Sequence, residues 1–183
     1  MEKLPYDKRI AAAIRKNLDE NGINYSFDAD RAQFLFGAKL NCVLDKAYYL
    51  IFVLDEDFLV YATADILADT KNKTVMTELS DFIHLITPRT LKGNFELDID
   101  HGAVSFKHFV TCCGITPNKK KIENAVGMPG YMFQKYGSCI SDIIQGKTTS
   151  REALAGCETI PPIEDGEIFG IPSVKSNAGG LFS

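Results

Sequence analysis

The chain has 183 residues, 45% of them hydrophobic and 24% charged, the make-up of one ordinary globular domain with enough apolar side chain to bury a core. Twenty Lys and Arg against 24 Asp and Glu leave a formal charge of −4, which argues against the broad positive surface that general binding to a nucleic-acid backbone needs. The longest apolar run, Ala47 to Leu54, has strand length and falls well short of the roughly 18 residues of a membrane span.

The opening Met-Glu-Lys-Leu-Pro-Tyr-Asp-Lys-Arg has no apolar core of signal-peptide length. With no such signal, the five cysteines at 42, 112, 113, 139 and 157 are expected as reduced thiols in a cytoplasmic protein. A first helix should begin after Asp7, a good N-cap, and end at Asn21-Gly22, with Ile10, Ile14 and Leu18 on its apolar stripe. Three strands follow. Gln33 to Val43 is the first, with Gly37 at a bulge; Asp45-Lys46 turns into Ala47–Leu54, and Glu56-Asp57 turns into Phe58–Ala64.

Alternation fails in these strands. Leu50, Phe52 and Leu54 lie on one face, but Tyr49, Ile51 and Val53 are equally apolar on the other, and Val60 and Leu59 likewise take opposite faces. Strands apolar on both faces are covered on both faces. The second cover is a helix, the C-terminal tail or another molecule. Tyr49, Ile51, Val53 and Val60, together with Phe169 of the tail, are the candidate interface residues.

A second helix carries Val75, Leu79, Phe82, Ile83 and Ile86 on one stripe and is ended by Pro88. Lys92 to Cys112 then reads as a β-hairpin. A two-residue His101-Gly102 loop would set Ile99 against Val104, Leu97 against Phe106, Phe95 against His108, and Glu96 against Lys107 on the solvent face. A third helix starts near Pro117-Asn118, should break or kink at Gly127-Met128-Pro129-Gly130, and resumes through Phe133, Tyr136, Ile140, Ile143 and Ile144. Thr149 and Glu152 form a capping box for a short last helix over 151–157. The order, helix, three strands, helix, two strands, then helices, predicts an α+β domain over residues 1–157 with a mainly antiparallel sheet. Residues 158–183 form a Pro- and Gly-containing tail, dotted with Ile163, Ile168, Phe169, Ile171 and Phe182, that is expected to be partly ordered on the domain or a partner.

Chemistry-bearing residue types fit simpler roles. Asp98-Ile99-Asp100-His101-Gly102 begins like a calcium loop, but Ala103 stands where the loop needs glycine and Phe109 where it needs glutamate. His108 and Cys112 lie roughly 13 Å apart along a strand, too far to share a zinc that its ligands approach within about 2.3 Å. No activated Cys–His pair is visible, Asp55-Glu56-Asp57 reads as a solvated turn, and Lys119-Lys120-Lys121 as a solvated start of a helix. No catalytic, cofactor-binding or metal-binding residue is assigned.

Gly93-Asn94-Phe95-Glu96-Leu97-Asp98, the Asp100-His101-Gly102 turn, Val104-Ser105-Phe106, Tyr136 to Ile144 and Arg151-Glu152-Ala153 together resemble the YbjN family, bacterial proteins labelled as sensory-transduction regulators. The resemblance spans Asp7 to Cys157. It implies a fold like that of type III secretion chaperones and a protein-binding, commonly homodimeric module, with no known reaction and no catalytic residue. The sequence is therefore expected to encode a non-enzymatic binding module with a chaperone-like or regulatory role. The competing expectation is a small-ligand protein or enzyme with a pocket between sheet and helices gathering Tyr48, Tyr61, His108 or Tyr131.

Overall fold

The computed structural model describes residues 5–158. The tail, Phe169 included, lies outside them. The elements are α1 (Lys8–Glu20), β1 (Ser26–Asp28), β2 (Gln33–Lys39), β3 (Lys46–Val53), β4 (Phe58–Leu67), α2 (Lys73–Ile86), β5 (Asn94–Asp98), β6 (Ala103–Val110), α3 (Lys119–Ile144) and α4 (Ser150–Glu158). The strands form one six-stranded antiparallel sheet in the order β1-β2-β3-β4-β6-β5. The α+β class and the element order match the sequence reading, with β1 as an addition.

One face of the sheet carries the core. Phe34 and Phe36, Tyr49, Ile51 and Val53, Phe58 and Val60, Phe106 and Phe95 point to the same side as Ile10 and Ile14 of α1, Leu79 and Phe82 of α2, and Phe133 and Tyr136 of α3. Ala47, Ala62 and Ala64 on that face are also buried, and their small side chains let helices approach the sheet closely. Each fully buried Phe or Ile here contributes roughly 1.5–3 kcal/mol of transfer free energy.

Helix ends follow the expected chemistry. Asp7 caps α1 by accepting from the Arg9 N–H, and Gly22 takes φ +64° just past the C-cap Asn21. Thr149 and Glu152 make the reciprocal bonds of a capping box before α4.

Several expectations are corrected. Of the break or kink expected at Gly127–Gly130, the break does not occur: helix α3 runs through Pro129 as one helix. Its two halves bury Ile122, Ala125 and Val126, then Phe133, Tyr136 and Ile140, against the same core, so packing outweighs the hydrogen bond a proline removes. Gly130 also has a purpose. The buried Tyr49 hydroxyl hydrogen-bonds the Gly130 backbone, burial pushes this phenol up, and a Cβ at 130 would come within 3.3 Å of its oxygen. Gly37 is no bulge; it pairs regularly with Tyr48, and β2 ends at Lys39.

Cys139 and Cys157 are disulfide-bonded, tying α3 to α4, whereas all five thiols were expected free. Their 18-residue separation gives no local motif. The two meet because α4 packs back on α3, with the Ser150 N–H donating to Glu78 of α2 at 2.7 Å. Cys42, Cys112 and Cys113 are free.

The β5–β6 hairpin keeps the parity of the sequence reading but shifts by two residues. Phe95 pairs with Phe106, Leu97 with Val104 and Asp98 with Ala103, leaving a four-residue loop, Ile99 to Gly102. Asp98 sets this loop: its Oδ1 accepts from the Asp100 and His101 N–H groups and its Oδ2 meets His101 Nδ1 at 2.8 Å. Only Gly102 takes positive φ. His101 therefore needs no left-handed conformation.

Candidate functional site

The opposite face of the sheet is uncovered among the described residues, and its composition is unusual for a face turned to water. Register places most of its side chains in three rows, with Lys39 and Lys46 opposite each other beyond them. Gln33, Phe52, Leu59 and Phe109 form one; Leu35, Leu50, Tyr61, Lys107 and Asn94 the next; Gly37, Tyr48, Thr63, Ser105 and Glu96 the third. An antiparallel sheet with a wet face usually alternates apolar-in with polar-out. Here the first two rows are largely apolar or aromatic, while Leu35, Tyr48 and Phe109 are 49%, 50% and 50% exposed. Phe52 and Tyr61 meet edge-on at 6.4 Å.

Two polar pairs of this face satisfy each other, while Lys46 at its end stands over the Tyr48 ring at 4.8 Å. Lys107 donates to Glu96 at 2.9 Å and its ammonium stands over the Tyr61 ring at 5.6 Å. Thr63 and Ser105 hydroxyls share a 2.7 Å hydrogen bond. The ion pair expected between Glu96 and Lys107 thus forms, although along the diagonal, because Glu96 is directly opposite Ser105. Burial pushes the Glu96 carboxyl up, but the Lys107 and Asn94 hydrogen bonds outweigh it and hold the group below the ordinary carboxylate range. A lowered folded-state value means stabilisation that is present above the ordinary value and lost as pH falls through the folded one. Glu96→Gln should therefore cost at most about 1 kcal/mol at neutral pH, since both groups are partly exposed. Urea unfolding should show the difference shrinking as pH falls through and below the ordinary carboxylate range.

The sequence-predicted interface residues sit elsewhere. Tyr49, Ile51, Val53 and Val60 are buried on the inner face against the helices. Both faces of β3 are equally apolar, so its own composition offered no choice. Parity shared with neighbouring strands did: Thr63, Ser105 and Lys107 fall on the outer side, while Ala47, Ala62 and Ala64 fall on the inner side.

Other chemistry-bearing groups serve the fold. Asp57 accepts from the Cys112 and Cys113 N–H groups and so closes the turn after β6, where Cys113 adopts φ +51°. Asp55 and Glu56 are exposed. Burial pushes the Cys112 and Cys42 thiols up, away from the thiolate that nucleophilic chemistry needs. Lys119 leaves the basic run to pair with Glu20 at 3.0 Å. Among the described residues no group of three or more His, Cys, Asp and Glu side chains could hold a metal ion, and no helix is long and apolar enough to cross a membrane.

No protein-family model matches the chain, and no curated protein is significantly similar to it.

Proposed function

We propose that this protein is a non-enzymatic protein-binding module whose open sheet face is the docking surface, and that the face's first occupant is a second copy of the chain. The apolar band of Leu35, Leu50, Phe52, Leu59, Tyr61 and Phe109 supports the reading. Contiguous exposed apolar surface of this kind marks an interaction site. Two such faces suit each other. Twisted sheets pack face to face across about 10 Å with side chains interdigitating. The charges beside the centre of the band, Lys107 and Glu96, are already paired within each protomer, and Lys39 and Lys46 lie beyond it at the end of β2 and start of β3, so the centre of the band brings no bare charge into the contact.

The resemblance to the YbjN family supports the same reading, because it implies a commonly dimeric module with a chaperone-like or regulatory role. It rests on the hairpin and closing-helix motifs. The proposal keeps the cytoplasmic setting. The Cys139–Cys157 bond lies among the helices on the far side of the sheet, so its redox state leaves the open face unchanged.

Sedimentation equilibrium of the wild type and of the double variant Leu35→Lys, Phe109→Lys tests this. Both residues are half exposed, so charge there costs the protomer little yet would be buried in a dimer. The wild type should be a dimer and the variant a monomer with unchanged circular dichroism. A monomeric wild type, or a variant that dimerises equally well, would overturn the reading.

A further inference from the structure

A cavity of about 740 Å³ opens between the first turns of α3, the end of β6 and the approach to β5, mainly on the inner side of the sheet, with Phe109 of the open face at its edge. The sequence explains why it exists. Strand β5 begins at Asn94, so no β5 residue stands opposite His108. Gly93, at φ +100°, brings bare backbone past β6, where a Cβ would lie 2.3 Å from the Lys107 carbonyl oxygen. On the helix side Ala125 fills little space. The buried floor is Val110 and Ala125, with the half-buried His108 beside them.

The rim is cationic. Lys92, Lys120 and Lys121 all line the cavity, and no acidic side chain does. Among the described residues none of the three pairs with a carboxylate; Lys121 instead donates to the Thr111 carbonyl. Three unneutralised ammonium groups at one opening stand out on a chain of net charge −4. The positive end of the 26-residue helix α3 adds to the same potential. Inside, His108 hydrogen-bonds the Lys92 backbone with one ring nitrogen, while Nδ1 is buried without a partner. Burial, then the nearby Lys92 ammonium, hold this imidazole below its ordinary range. It is thus a neutral group with an unused acceptor, and a buried polar atom left unpaired is costly.

We infer that this cavity binds a small organic anion, its carboxylate or phosphate held at the rim by Lys92, Lys120 and Lys121, its apolar body on Val110 and Ala125, and a donor group meeting His108 Nδ1. The volume falls within the range of small-molecule sites, which combine apolar walls with a few placed polar groups. Of the residues expected to gather in such a pocket, only His108 is there. Tyr48 and Tyr61 lie on the outer face, and Tyr131 is not part of the lining.

The test titrates the full-length protein with octanoate and with phenyl phosphate, using 1-octanol as the uncharged control, and follows heat and the imidazole NMR signals of all three histidines. At least one anion should bind once per chain and shift His108 while leaving His84 and His101 in place. Affinity should fall at least tenfold in Lys92→Gln, Lys120→Gln, a pair of exposed substitutions that leave the core intact. Octanol binding as tightly as the anions, an unmoved His108, or a double variant that binds like wild type would each overturn the inference. Selective binding of only one of the two anions would identify the head group and support it.

Discussion

Phe95→Ala should cost about 4 kcal/mol of folding stability, a large part of the 5–15 kcal/mol that a domain of this kind has. Phe95 is 3% exposed although it lies on an edge strand. Its ring meets Phe106 of β6 at 5.0 Å, Phe133 of α3 at 5.5 Å and Tyr136 of α3 at 6.0 Å, all edge-to-face, and Tyr136 passes the contact on to Phe82 of α2 at 6.4 Å. Truncation removes the transfer energy of a whole ring, leaves a cavity among three aromatic neighbours, and forfeits their quadrupole contacts. Phe95→Leu keeps most of the volume and should cost only about 1.5 kcal/mol. Equilibrium urea unfolding of both variants checks this. A loss below about 1.5 kcal/mol for the alanine would mean that β5 is not a full member of the core.

Gly102→Ala should cost about 3 kcal/mol, and φ is not the main reason. Ala32 holds φ +54° at the corresponding position of the β1–β2 loop, so this turn admits a Cβ. At Gly102 a Cβ would fall 2.1 Å from the Ala68 carbonyl oxygen and 3.0 Å from its carbon. That backbone is itself tied to the hairpin by the Ala68 N–H donating to the Gly102 carbonyl at 2.9 Å. Either the hairpin tip or the chain leaving β4 must move, breaking this bond and adding the strain of the left-handed residue. Gly22→Ala is the control: the same sign of φ, +64°, but nothing within 4 Å of the new Cβ. It should cost only about 1 kcal/mol. Equal thermal shifts in the two variants would show that the contact with Ala68 contributes nothing.

The same comparison shows what the sequence could and could not convey. Asp28-Ala29-Asp30-Arg31-Ala32 and Asp98-Ile99-Asp100-His101-Gly102 close two hairpins the same way, each with the leading aspartate accepting from the N–H groups two and three residues on. The first was missed because β1 has only three residues, too few for alternation to register, although the repeated aspartate spacing was there to find. Apolar periodicity located α1, α2 and most strands, because burial on one face leaves that trace directly. The fate of Pro129 was hidden, since what holds α3 together is packing from distant strands rather than its own residues. Which face of β3 the helices cover depended on parity carried across β2, β4 and β6. The Lys119–Lys121 run looked uniform, yet folding sends Lys119 to Glu20 and leaves Lys120 and Lys121 at the mouth of a cavity. That cavity arises from where β5 begins, a boundary no local pattern encodes.

The most direct measurement of the central claim is an isotope-filtered NOE experiment on a mixture of labelled and unlabelled protein, read at the methyl groups of Leu35, Leu50 and Leu59. Contacts between copies should run from these methyls to the rings of Phe52, Tyr61 and Phe109, with none from the inner-face methyls of Ile51 and Val60. Contacts between copies that avoid the outer face, or the absence of any at concentrations where the protein is fully associated, would contradict it.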